Sequence, residues 1–214
     1  MKLIAVSHGR NYGSVEREAQ VTNQLFRDGL EVFHLRKPLH SVDELRAFLD
    51  LIERRFLPRI TLHSFQDLVM EYPVGGIHVS EEEHRKFPMN MSQIEFLFRK
   101  RPELRQTASF HKLDKLRFAP GKLDYVFLSP VFDSISKPFQ TAAFSQEDLL
   151  ETLSHVKPQV IAAGGVQPEH FALIAQLGFA GAALCGALWE SGDPNEMFRR
   201  ALGRCEPEGF SCSA

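Results

Sequence analysis

Short apolar runs recur along this chain, separated by longer stretches whose apolar residues fall on one helical face. The runs cover residues 3–7, 31–35, 59–63, 76–79, 105–109, 124–128, 159–163 and 181–185. Most are apolar or β-branched, with Gly, Pro, Ser or a charge at an edge, as in strands buried on both faces. Between them, residues 15–27 carry Val15, Ala19, Val21, Leu25 and Phe26, and residues 42–54 repeat the pattern with Leu45, Phe48, Leu49 and Ile52. Ser145 caps a further helix whose first turn holds Glu147 and Asp148, as the helix dipole favours. Pro168-Glu169 opens another, ended by Gly178, and Gly29 ends the first. Pro88 interrupts the stretch 81–100, leaving only 93–100 helical.

Regular βα alternation implies a parallel sheet with right-handed crossovers. Eight units in 214 residues predict an α/β fold, a compact (β/α)8 TIM barrel with its active site at the C-terminal ends of the strands. A doubly wound sheet is the alternative. It would place G-x-G-x-x-G after the first strand, where the chain has Ser7-His8-Gly9-Arg10. The length predicts a single domain over 1–214, with a frayed tail from about residue 205.

Composition narrows the partners. With 43% hydrophobic and 24% charged residues the chain reads as soluble and globular. Its 25 basic and 27 acidic residues give a net charge of -2, which supports neither a nucleic-acid nor an anionic-membrane partner. No apolar run approaches a membrane span, and the amino-terminal one is too short for a signal sequence. Cys185, Cys205 and Cys212 lack C-x-x-C spacing and read as thiols of a reducing, cytoplasmic compartment, the last two in the tail. Self-association as a homo-oligomer stays open.

The strand ends carry the chemistry. In order they offer Ser7-His8, His34-Leu35-Arg36-Lys37, His63-Ser64, His78-Val79-Ser80, Ser109-Phe110-His111-Lys112, Ser129-Pro130, Ala163-Gly164-Gly165 and Cys185-Gly186. Period-two alternation puts His34 and Arg36 on one face, toward the barrel mouth. Gly164-Gly165 and Gly186 follow the seventh and eighth strands, where barrels frequently bind phosphate on backbone N–H groups. Ser134, Ser136 and Lys137, in the long connection after the sixth strand, form a donor-rich strip suited to phosphate or diphosphate. His40, His84, His155 and His170 fall on helices or loops and read as surface residues. His8, His34, His63, His78 and His111 could share one cavity, but no His-x-His or His-Glu-x-x-His spacing supports a zinc site.

These pieces together resemble the thiamine phosphate synthase and thiazole tautomerase superfamily of small (β/α)8 barrels, over Leu3 to about Leu188. The marks are 28–36 (Asp-Gly-Leu-Glu-Val-Phe-His-Leu-Arg), Gly75-Gly76-Ile77-His78-Val79, the 124–132 strand and loop with Ser129-Pro130, 162–166, and 178–182. The resemblance implies that Ser134, Ser136, Gly165, Cys185 and Gly186 hold a thiazole phosphate. It implies that Arg36, Ser109 and Lys137 meet a pyrimidine diphosphate, with His34 where many synthases have glutamine.

The resemblance implies one leading function, a thiamine phosphate synthase-like transferase, and two alternatives. A synthase would join hydroxymethylpyrimidine diphosphate to thiazole phosphate, giving thiamine phosphate and diphosphate, with Lys137, Arg36 and Mg²⁺ on the leaving group. A tautomerase would need no metal and would aromatise the thiazole phosphate carboxylate with His111 as acid and base. A binding protein would hold thiazole phosphate or thiamine phosphate without turnover. All three take small phosphorylated ligands. The sequence departs from the synthase pattern at the metal: His63-Ser64 stand for an Asn-Asp pair, Glu83 is the nearest match to a second aspartate, and Arg36-Lys37-Pro38 replaces Arg-Glu-Lys. Lys37 and His63 bring extra positive charge to the same place.

Overall fold

A computed structural model describes residues 1–79, 91–133 and 144–205. Eight parallel strands close into a barrel in sequence order. They are β1 (Lys2–Val6), β2 (Val32–Leu35), β3 (Ile60–Leu62), β4 (Gly76–Val79), β5 (Arg105–Phe110), β6 (Tyr125–Leu128), β7 (Gln159–Ala162) and β8 (Gly181–Leu184). Closure is made by β1 against β8, where Ile4 pairs with Ala183. Around them run α1 (Val15–Arg27), α2 (Val42–Asp50), α3 (Met91–Lys100), α4 (Leu113–Leu116), α5 (Gln146–Leu153), α6 (Phe171–Gln176), α7 (Gly186–Trp189) and α8 (Pro194–Cys205). No helix among the described residues is long and apolar enough to cross a membrane.

Alternation along each strand separates two cores. Outward residues such as Phe33, Leu35, Leu62, Ile77, Val126 and Leu128 pack under the helices. Inward residues Ile4, Tyr125, Phe127, Ile161 and Ala183 form a second cluster inside the barrel. That inner cluster comes from β1, β6, β7 and β8. The other half of the interior, from β2 to β5, is polar and buried: His34, Thr61, His63, His78 and Thr107 are at most 3% exposed. A barrel interior is normally a packed apolar core, so this polar half marks where the chain departs from pure stability.

The helices follow their local signals. Ser14 caps α1 by accepting from Arg17 N–H, and Ser41 and Glu44 make a reciprocal capping box on α2. Gly29, at φ 108, lets Leu30 N–H reach back 2.9 Å to Leu25 O and close α1. Two expectations fail here. Helix α2 stops at Asp50 rather than running to residue 54, because the Asn23 carboxamide of α1 takes Leu51 O and Glu53 N–H at 2.9 Å each. Cys205 is no tail residue either: it ends α8 and packs half-buried on the core.

Candidate active site at the barrel mouth

The polar half of the interior is one hydrogen-bonded cluster. His34 Nδ1 lies 2.9 Å from His63 Nε2, and His34 Nε2 lies 2.6 Å from the Tyr125 hydroxyl. His78 Nδ1 is 2.8 Å from Thr107 Oγ1, and its Nε2 is 2.7 Å from Ser109 Oγ. Proton positions follow from the partners. The Thr107 hydroxyl donates to Ile77 O at 3.3 Å, so it accepts from His78 Nδ1–H. His78 Nε2 therefore accepts the Ser109 proton, and the Ser109 lone pairs face away from the ring.

Burial keeps all three rings neutral. It pushes His34 and His63 well below their ordinary range near 6.5, with the field of His78 adding to it in both. His78 falls to about 3, chiefly through burial and then through the charges of Arg36 and His111. Arg36 is half-buried, and its backbone N–H and C=O are both held by Ser7 Oγ, at 2.8 and 2.9 Å. That double bond ties the end of β2 to the end of β1.

Outward from this cluster the residues become exposed. His111 Nδ1 lies 2.7 Å from the carbonyl oxygen of Ser129. A carbonyl only accepts, so Nδ1 carries the proton and Nε2 of the neutral ring is the basic nitrogen. Cys185 is exposed, with its thiol 3.7 Å from Ser7 O, and Gly186 opens α7, which Trp189 Nε1–H pins to Val6 O at 2.7 Å. Glu83, Ser134, Ser136, Lys137 and Cys212 lie outside the described residues.

Lys37 is committed to a buried partner. Its ammonium is 2% exposed, paired with the fully buried Glu18 of α1 at 2.6 Å, and it donates to Arg10 O at 2.8 Å. Burial pulls it below its ordinary range, and Glu18 offsets part of that. Lys37→Met strands the Glu18 carboxylate, so we expect a loss of about 3 kcal/mol. Urea denaturation measures it, and the double variant Lys37→Met/Glu18→Leu should recover most of the loss. His170 is not a plain surface residue: its ring stacks on Phe132, centroids 4.0 Å apart.

Gly164 and Gly165 have positive φ, 78 and 67. Val131 N–H and Phe132 N–H bond to Ala163 O and Gly164 O, drawing the loop after β6 onto the loop after β7. A Cβ at Gly165 would sit 2.2 Å from Asp133 O, whereas one at Gly178 meets nothing within 4 Å. We expect Gly178→Ala to cost about 1 kcal/mol for its φ alone. Gly165→Ala should cost about 3 kcal/mol, because a backbone must move as well. Thermal denaturation of the two variants side by side checks the difference.

Magnesium does not fit the described residues. Among them, the one group of three or more His, Cys, Asp or Glu close enough to share an ion is His34, His63 and His78. Magnesium takes oxygen ligands, and Ser64 adds only a buried neutral hydroxyl with no hydrogen-bond partner among the described residues. Tyr125 and Thr107, not among the residues expected at the site, orient the cluster. Their signal was available, since a tyrosine or threonine at an inward position of a buried strand needs a polar partner.

A closed parallel barrel whose strand ends hold a histidine, an arginine and two glycine turns defines a small (β/α)8 enzyme-type scaffold. Residues 3–188 match the family model described as thiamine monophosphate synthase, and the chain belongs to that family. It is similar to the thiamine phosphate pyrophosphorylase of Bacteroides thetaiotaomicron, with 26% identity, a TM-score of 0.76, and 98% of this chain and 100% of that one covered. The Pyrococcus furiosus thiamine phosphate pyrophosphorylase shares the fold at 18% identity and TM-score 0.75, with 95% of each chain covered. A 3-hexulose-6-phosphate synthase also shares it, at 12% identity and TM-score 0.68, covering 96% of this chain and 100% of that one. Among curated proteins, none matches this chain.

Proposed function

We propose that this chain carries out the part of its family's chemistry that needs no magnesium, as a tautomerase that aromatises a thiazole phosphate carboxylate. The observation that carries the reading is His111, whose Nδ1–H is fixed on Ser129 O and whose Nε2 is thereby the available base at the mouth. A tautomerisation removes one C–H proton and returns one proton elsewhere on the same molecule, so no group is lost and no co-reactant is needed. His111 Nε2 takes the proton, the Ser129 carbonyl steadies the imidazolium through Nδ1–H, and the ring gives the proton back. Gly164, Gly165, Cys185 and Gly186 are the proposed phosphate seat, and Arg36 supplies positive charge opposite the carboxylate. Ser109, its own proton committed to His78, offers lone pairs to a donor on the ligand.

The coupling of pyrimidine diphosphate to thiazole phosphate is the second reading. It is favoured by the full-length likeness, at 26% identity, to a chain named thiamine phosphate pyrophosphorylase. One assay separates the two. Purified protein is given the carboxy-thiazole tautomers, with and without pyrimidine diphosphate and magnesium, and products are followed for aromatised thiazole and thiamine phosphate. Aromatisation without added magnesium and no coupling at saturating magnesium is the expected result. Thiamine phosphate formed at saturating magnesium overturns it in favour of coupling. Thiazole phosphate binding without either product would leave a binding protein.

A further inference from the structure

His34, His63 and His78 supply more buried base than a single proton shift at His111 requires. Each offers one ring nitrogen, and those nitrogens all lie within 4.8 Å of one another. The three residues are 0%, 3% and 0% exposed. We propose that they form a binding site for one divalent transition-metal ion of the zinc class, with its fourth position open toward the barrel mouth. This goes beyond the thiazole reading and does not depend on it.

The donor set makes the choice of ion. Three neutral imidazoles suit zinc, cobalt, nickel or copper and are poor ligands for magnesium or calcium. Burial, which holds the rings unprotonated, puts them in the metal-binding form. The outer shell is built as well. Thr107 fixes His78 Nδ1–H, leaving Nε2 as that ring's ligand nitrogen. The Tyr125 hydroxyl, 2.6 Å from His34 Nε2, can accept Nε2–H when His34 turns its Nδ1 lone pair to the ion. A ligand histidine whose second nitrogen is held by an oxygen is the usual arrangement around zinc.

Two hydrogen bonds occupy the place of the ion: His34 to His63 at 2.9 Å and Ser109 to His78 at 2.7 Å. An ion replaces both protons' positions without changing the net protonation of any ring. One rearrangement is required. The His63 and His78 rings stack 4.0 Å apart with 17° between their planes, and stacked rings cannot both aim at one ion. His78 is held at both nitrogens. His63 follows β3 at the head of a turn whose Phe65 is left-handed at φ 51, an uncommon conformation for a bulky residue. Turning His63 leaves the bond between His78 Nδ1–H and Thr107 in place.

The test uses untagged, chelator-treated full-length protein titrated with Co²⁺ and, in competition, Zn²⁺. One equivalent of Co²⁺ with the intense visible bands of a tetrahedral site is expected. Zn²⁺ should displace it, with affinity falling about 100-fold or more in His63→Ala and about tenfold in Tyr125→Phe. A pale six-coordinate spectrum, no uptake, or unchanged affinity in the folded His63→Ala variant would overturn the site, the last by locating the ion elsewhere, as on the exposed His155. If His63→Ala does not fold, X-ray absorption of zinc-loaded wild type decides. Three imidazole ligands support the site and fewer refute it.

Discussion

His111→Ala should lower the rate of thiazole aromatisation by about 10²–10⁴-fold, the range for loss of a positioned general acid and base. The effect belongs in kcat. The groups proposed to hold phosphate, Gly164, Gly165, Cys185 and Gly186, sit on the loops after β7 and β8. His111 follows β5 and contacts Ser129 O, so KM should move only a few-fold. The direction of the ring matters as much as its presence. Because Ser129 O accepts from Nδ1, a glutamine at 111 can preserve that hydrogen bond but cannot take a proton. His111→Gln should therefore be as slow as His111→Ala, and added imidazole should restore part of the rate in the alanine variant alone, where there is space for it. His111 is exposed and outside the buried core, so neither change should shift the melting temperature appreciably. Aromatisation within a few-fold of wild type in both variants would remove His111 from the mechanism.

The barrel was legible because burial on both faces writes each strand as a short apolar run. Residues 76–79 and 181–184 stand where the pattern puts them. Less visible was α8. Asp193 caps it through Asn195 and Glu196 N–H, and Pro194 sits at its first position. That is a readable start signal, obscured by polar residues between Phe198 and Ala201. The site was legible only as a roster of strand ends. Alternation could say that His34 faces inward, but not that His63 and His78 share its level. That depends on the stagger between strands, seen in the pairing of His34 with Thr61 and of Thr61 with Gly76. Lys37 shows the same gap. Its position beside Arg36 reads as a mouth cation, yet its partner is Glu18, a helix residue whose complete burial no local pattern announces. The glycine pair, singled out in the sequence for phosphate, also has a role inside the fold that no local pattern announces. Both have positive φ, and Gly165 is closed in by the Phe132–Asp133 backbone while Gly164 faces Ser129 and Pro130.

Acid should destabilise this protein in a range where ordinary carboxylates are still ionised. In the unfolded chain histidine takes up its proton near pH 6.5, whereas in the fold His34, His63 and His78 are held neutral below that, His78 down to about 3. Below pH 6.5 the unfolded state thus binds more protons than the native state, and stability falls as pH falls. The contribution is fully present above pH 6.5 and disappears as pH drops toward the folded-state values. Each buried ring adds to the loss in the same direction, so the three act together as the pH falls below the unfolded histidine range. The charges facing the cluster, Arg36, Arg105 and His111, reinforce the direction, since each opposes protonation of a ring it faces. Half-buried His170 adds a smaller term of the same sign. Urea unfolding of metal-stripped protein between pH 7 and 5 measures the slope. The unfolded chain should bind more protons than the fold throughout that interval, and His78→Gln should make the slope shallower. A flat stability profile over that interval would mean that the three rings are not held neutral inside the barrel.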